Sequence, residues 1–433
     1  MAMALDAPKA SFRLSMLIYD TRYRAITIQI VVLILVLLGV SWLANNLIVN
    51  LAAKGKDINF GFLWNRAGYD IDQQLIPYTN DSTHGRAAIV GLLNTLSIAI
   101  LACLFATFLG VVVGVLRLSK NWLVGRLMTV YIEVFRNVPL LLWIILSYVI
   151  LSETMPSPRD FRQTDEMIAA GQPAPAHMVF DNSVAFTNRG TNVPAPLFGC
   201  DRIFEGKCGL GSVDVATVPV NLNYVVFLAV IIGGVLINRA IVRNAKAVQE
   251  ATGVRPVTWW KRLLIGFGPP ILLLWILGFH LEYPAFRTFN FQGGINVAHS
   301  FTALLIALVL YSATYIAEAV RAGILAISHG QSEAAFALGL RPGRTMNLIV
   351  LPQALRVIIP PLISQYLNIT KNTSLGIAVS YLDLRGTLGG ITLNQTGREL
   401  ECMLLMMLIY LIISLIISSV MNIFNNAVKL KER

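Results

Sequence analysis

Apolar residues in this chain fall in long unbroken runs. Eight stand near 26–45, 88–116, 127–152, 219–238, 262–281, 297–320, 353–378 and 401–425, separated by polar stretches. About 20 residues, rising about 1.5 Å each, make a helix long enough to cross about 30 Å of hydrocarbon. Barrel strands would instead alternate apolar and polar positions over about ten residues. Within lipid a spanning segment must satisfy its own backbone polar groups, which a helix does. The pattern therefore predicts an all-α polytopic membrane protein with about eight transmembrane helices. The first run, Ile26 to Ala44, is too long for the core of a signal peptide, and no small-x-small site follows closely. It reads as an uncleaved anchor. The run at 353–378 is the least regular, since it holds Pro360, Pro361, Lys371 and Asn372.

Composition agrees with this class. Only 13% of residues are charged and 56% are apolar, against about 25% charged in soluble domains. Charge also sets the orientation, because short basic loops stay on the cytoplasmic side. Lys9, Arg13, Arg22 and Arg24 precede the first run. Arg117, Lys120 and Arg126 lie between the second and third, and Arg239, Arg243, Lys246, Arg255, Lys261 and Arg262 between the fourth and fifth. Lys429, Lys431 and Arg433 end the chain. With eight spans all these fall on one side, together with the loop 321–352, so both termini are expected in the cytoplasm. The net charge of +11 is explained by this arrangement. No basic segment is expected to be interleaved with exposed aromatics in the manner of a nucleic-acid-binding surface. The opposite side receives 46–87, with Trp64, Tyr69 and Tyr78, and 153–218, which is rich in Pro, Asp and Gly.

Candidate chemistry is sparse. The five histidines, His84, His177, His280, His299 and His329, have no metal-ligand spacing. No G-x-x-x-x-G-K-[ST] phosphate loop is present; the nearest fragments, Gly55-Lys56-Asp57 and Gly206-Lys207-Cys208, lack the hydroxyl that holds magnesium. Any ATP-driven work must then come from another polypeptide. Cys103 and Cys402 lie inside runs and read as small packing residues. Cys200 and Cys208 flank a short loop on the outer side. They either pair, worth about 2–3 kcal/mol on the chain-entropy model, or remain two free thiols. A secondary transporter would need an internal repeat and a coupling carboxylate in mid-span, and the sequence offers neither.

The loop between the sixth and seventh runs carries the most specific pattern. From Glu333 to Pro352 it reads E-A-A, three residues, G, nine residues, I, one residue, L-P. This resembles the cytoplasmic loop of bacterial ABC importer permeases, which docks on the ATPase. Tyr315 to Ile324 matches the A-Y-x-A-E-x-x-R-x-G-I signature of the polar amino-acid branch, with Thr314 where Ala is usual. Leu351-Pro352-Gln353-Ala354-Leu355-Arg356, Pro360-Pro361 and Lys371-Asn372-Thr373-Ser374-Leu375 follow in the family order. Upstream, Gly91, Thr95 and Leu96 and the stretch Tyr131 to Leu141 match its first two spans. The enlarged form looks like the larger permease subunit of the general L-amino acid transporters of alpha-proteobacteria. The resemblance implies a five-helix core at 88–152 and 297–433, with the coupling loop at 321–352. Residues 1–87 would add a cytoplasmic N-terminus, an extra span and an outer loop. Residues 153–296 would be an insertion, with a periplasmic loop at 153–218 and two more spans. It also implies a bacterial inner-membrane permease for L-amino acids, holding no cofactor of its own. A partner ABC ATPase dimer would bind ATP and Mg. A second homologous permease would complete a heterodimer, and a periplasmic amino-acid binding protein would deliver substrate.

Physical chemistry fits residues to these roles. Ala334 and Ala335 favour a short helix that can lie close to a partner, and Glu333 suits its first turns. Gly339 permits the positive φ that ends it, and Leu340 and Arg341 lead into the turn. Read alone, the same segment would also serve as an ordinary interfacial helix. Lys371, Asn372, Thr373 and Ser374 suggest a locally unwound helix facing a substrate pathway; otherwise Lys371 snorkels and the hydroxyls bond back to the helix. Arg136 and Asn137, ahead of Pro139, are candidates for the same pathway. Glu318 and Arg321, one turn apart, are expected to pair. Gly110 and Gly114 form a small-residue face for close helix packing.

Overall fold

A computed structural model describes residues 18, 20–53, 55, 57–163, 167, 169–199, 210–215 and 218–428. The chain divides into two compact units, Met1–Phe60 and Gly61–Arg433. The first contains α1 (Thr21–Ala53). Every large apolar side chain on it from Ile26 to Leu43 is exposed, a surface suited to lipid or neighbouring helices rather than water.

The second unit contains α2 (His84–Leu116), α3 (Trp122–Asn137), α4 (Leu140–Thr154), α5 (Leu222–Thr252), α6 (Trp259–Ile276), α7 (His299–Leu325), α8 (His329–Ala337), α9 (Leu351–Asn372) and α10 (Glu399–Val428). Its core lies around α7, which packs along α2 and also touches α4 and α9, while α9 packs on α10. The two central helices run parallel and approach closely at the expected glycines. A Cβ on Gly110 would stand 2.7 Å from that of Ile316, and one on Gly114 would stand 2.7 Å from the Ala317 carbonyl oxygen. Ile98, Ala102, Ala106, Leu304, Leu308 and Ile358 fill the space around this seam.

Among the described residues six helices are long and apolar enough to cross a membrane, and α3 with α4 makes a seventh if that pair counts as one span. Two expected spans therefore need correction. The run at 127–152 is a pair of helices bent by 103°. Val138, forced out of the helical region by Pro139, takes φ −105° and ψ 133°. The run expected at 262–281 begins earlier, at Trp259, and stops at Ile276. Gly278, at φ 62°, then turns the chain into a strand. Helix α9 passes unbroken through Pro360 and Pro361 and tightens into a 3-10 helix only at Thr373–Val379.

The polar insertion adds strand structure that the apolar runs do not signal. Between α4 and α7 lie β1 (Ala185–Thr187), β2 (Gly190–Val193), β3 (Ala195–Phe198), β4 (Ser212–Val215), β5 (Val218–Asn221), β6 (Phe279–Glu282), β7 (Ala285–Arg287), β8 (Asn290–Gln292) and β9 (Ile295–Val297). They form a three-stranded sheet β1-β2-β9 and the pairs β3-β6, β4-β5 and β7-β8, all antiparallel. In the first sheet Thr191 lies opposite Val297 and Val193 opposite Ile295. Helices α5 and α6 form a hairpin, tied where Asn238 Nδ2 donates to the Arg262 carbonyl at 3.2 Å. No residue of α6 is buried.

Candidate coupling and pathway sites

Helix α8 follows α7 after a three-residue link and is held at one buried point, Ala335. Its end is a complete Schellman motif. The Leu340 N–H donates to the Ala335 carbonyl at 3.1 Å, the Gly339 N–H donates to the Phe336 carbonyl at 2.9 Å, and Gly339 has φ 76°. Arg341 then caps the next turn, with Pro342 at its first position. Glu333 is exposed and pairs with His329 Nδ1 at 3.4 Å. Ala334 is also exposed, beside Phe336 at 49% and Leu338 at 81% exposure. Those last two residues are missing from the sequence-derived set. Their signal is there to read: two large apolar side chains on a segment that charge places in water.

The same end of the bundle carries an ion cluster. Arg321 Nη1 contacts Glu318 Oε1 at 3.3 Å, the pair expected from spacing, and Arg117 Nη1 closes on the other oxygen of Glu318. Arg117 follows the last residue of α2, so the cluster ties α2 to α7. Its partner 201 positions away is invisible to local pattern.

The pathway candidates fall in two places. Arg136 is exposed, with its guanidinium 5.1 Å from the ring centre of Tyr315, whose hydroxyl lies 2.9 Å from that of Tyr311. Asn137 Nδ2 donates to Glu133 Oε2 at 3.3 Å. Phe135 stacks on Trp143, with ring centres 4.2 Å apart. On α9, Lys371 is exposed and Asn372 half-buried. Thr373 is buried and its hydroxyl donates to the Thr370 carbonyl at 2.9 Å, while that of Ser374 donates to the Lys371 carbonyl at 2.7 Å. Both hydroxyls are thus bonded back to the helix, and the backbone there is tightened, not opened. Among the described residues no hydrogen bond or ion pair joins Arg136 or Asn137 to 371–374. Cys200 and Cys208 lie outside the described residues; Cys402 is a buried free thiol and Cys103 a half-buried one.

At the far end of α2 the chain between α9 and α10 folds back into the bundle. Gly91 is what admits it, since a Cβ there would stand 2.7 Å from the Asp383 carbonyl oxygen. Asp383 is fully buried and accepts hydrogen bonds from the Gly386 N–H at 2.9 Å and the Tyr410 hydroxyl at 3.2 Å. Burial outweighs these bonds and pushes its pKa up to about 6. Thr95 Oγ1 accepts from the Leu384 N–H at 3.0 Å, and Asn94 Nδ2 donates to the carbonyls of Gln73 and Leu382 at 2.7 and 2.9 Å.

The described residues thus form an apolar helical bundle with an exposed foot, α8, at its charged end and a buried acid, Asp383, at the other. The family described as "Binding-protein-dependent transport system inner membrane component" matches residues 255–430. The "Glutamate/glutamine/aspartate/asparagine transport system permease protein BztB" of Rhodobacter capsulatus is 66% identical over 434 residues, covering 100% of both chains. The "General L-amino acid transport system permease protein AapQ" of Rhizobium johnstonii is 41% identical, over 98% of this chain and 96% of that one. The "Putative amino-acid ABC transporter permease protein YhdX" of Escherichia coli is 38% identical, over 95% of each. The chain belongs to the permease family of amino-acid ABC transport systems. It is a multi-span membrane subunit, and transport by it involves the other components of such a system.

Proposed function

We propose that this chain is one of two permease subunits of an ATP-driven importer of L-amino acids in a bacterial inner membrane, with both termini cytoplasmic. The second permease would be similar but distinct. An ABC ATPase dimer would bind the ATP and Mg, for which this chain has no phosphate loop, and a periplasmic binding protein would supply substrate. The observation that carries this reading is the foot α8. It is rigidly terminated at Gly339, held to its own chain chiefly by Ala335, and presents Glu333, Ala334, Phe336 and Leu338 outward. A helix so exposed and apolar needs a partner surface. Leu340 and Arg341 set the turn that returns the chain toward α9. ATP binding would draw the two ATPases together, move both feet, and switch the pathway from inward-open to outward-open.

Arg136, with Asn137 beside it, and Lys371, followed by Asn372, are the side chains on which a pathway for polar substrates would rest, the Thr373 and Ser374 hydroxyls being bonded back to the helix. Two exposed cations on a spanning bundle are costly unless they meet anions or headgroups. Together with the substrates printed in the name of the 66% identical relative, they favour amino acids with acidic or amide side chains. Uptake of labelled glutamate by vesicles holding the complete system tests the proposal. ATP should drive it, and a non-hydrolysable analogue should stop it. Uptake that persists under the analogue and collapses with the proton gradient would instead indicate a secondary transporter.

A further inference from the structure

A cavity of about 370 Å³ at the α8 end of the bundle belongs neither to the foot nor to the pathway candidates. Arg117, Ser119, Asn121, Trp122, Arg126 and Arg321 line it. Three guanidinium groups share this space. The acid beside them, Glu318, is already divided between Arg117 and Arg321. Arg126 is exposed and has no ion pair among the described residues. Like charges gathered without matching acids repel one another unless an anion joins them.

We infer that this cavity binds the phosphate of an anionic phospholipid. Its depth is right. Arg321 lies four residues before the end of α7, about 6 Å at the helical rise, and Arg117 follows the last turn of α2. Trp122, 78% exposed, marks the headgroup level where amphipathic rings collect. The chemistry is right as well. Arginine forks match phosphate oxygens with paired hydrogen bonds. Ser119 Oγ accepts from the Asn121 N–H at 3.2 Å, which leaves its own O–H to donate. Free phosphate would satisfy these groups equally. The lipid source is favoured by what leads away from the rim: Leu123, Leu127, Val130 and Val134, all exposed, fall at helical spacing on one face of α3. That stripe gives an acyl chain a bed beside the headgroup.

The complete transporter in nanodiscs tests this with brominated lipids, the emission of Trp122 being taken as the difference between wild type and Trp122→Phe. Brominated phosphatidylglycerol should quench that signal about five-fold more effectively than brominated phosphatidylcholine at equal mole fraction. Arg126→Gln should reduce the preference about five-fold, one arginine's share of anionic-lipid attraction. Millimolar inorganic phosphate should leave it unchanged. Equal quenching by the two lipids, or no quenching by either because protein covers the site, would overturn the inference. Loss of the preference on adding phosphate would reassign the cavity to a soluble anion. Arg126 belongs to neither the foot nor the pathway, so the glutamate-dependent ATPase of Arg126→Gln in phosphatidylcholine should match wild type and report its folding.

Discussion

Gly339 has no neighbour that a side chain would strike, so its constraint is conformational: φ is 76° with open space around it. A β-branched residue there is strained by about 1–3 kcal/mol. Gly339→Val should therefore distort the end of α8 and leave the bundle intact. The expected readout is near-normal expression and thermal stability, with at least a ten-fold loss of uptake per ATP hydrolysed; normal coupling would remove α8 from the mechanism. Leu338→Asp, in contrast, touches only the exposed surface. It should lower co-purification of the ATPase without changing the stability of the isolated permease. Asp383 gives a pH signature. Its pKa rises from the ordinary 3.8 to about 6 through burial, so the folded state holds its proton more tightly than the unfolded one. Its stabilising contribution is complete below about pH 4 and is lost as pH rises through about 6, up to about 3 kcal/mol in all. Asp383→Asn should flatten the dependence of Tm on pH between 4 and 7. Of these residues, Gly339 was readable because its role is local: a glycine after a short helix announces a left-handed cap. Asp383 was not, since its burial is created by Gly91 and Tyr410, 292 and 27 positions away.

Elements were legible where lipid dictates them. A long apolar run has one solution in a membrane, and α2, α7 and α10 stand where their runs do. The misses come where a single residue overrides the run. Pro139 splits one span into α3 and α4, yet Pro360 and Pro361 leave α9 whole. The strands β1 to β9 are three or four residues each, too short for alternation to declare itself, and their partners are set by the insertion's closure. The seam between α2 and α7 was readable from Gly110 and Gly114, and its parallel sense from the side on which the basic loops fall, though not the identity of its partner. Gly110→Val would drive a side chain into Ile316 and the Ala313 carbonyl, 2.7 and 2.9 Å from the first added atom. Overpacking of this kind costs about 1–3 kcal/mol. The expected result is a Tm lower by several degrees, while Gly125→Ala on α3, with only distant backbone nearby at 3.7 and 3.9 Å, should be neutral.

At the scale of the whole molecule, one fastening decides what the insertion can do. Strands β2 and β9 lie side by side, with Val193 facing Ile295, so residues 194–294 leave the bundle and come back through a single doorway about 5 Å wide. Whatever lies beyond that doorway is an appendix on a closed ring, and its length places no strain on α4 or α7. Replacing 194–294 by Asn-Gly, a turn that suits adjacent antiparallel strands, should yield a shorter permease that still inserts and still holds its ATPase, as pull-down from membranes would show. Such a ring is also a natural socket: evolution or an engineer could exchange its contents, hairpin and all, without renegotiating the machinery to which it is buttoned.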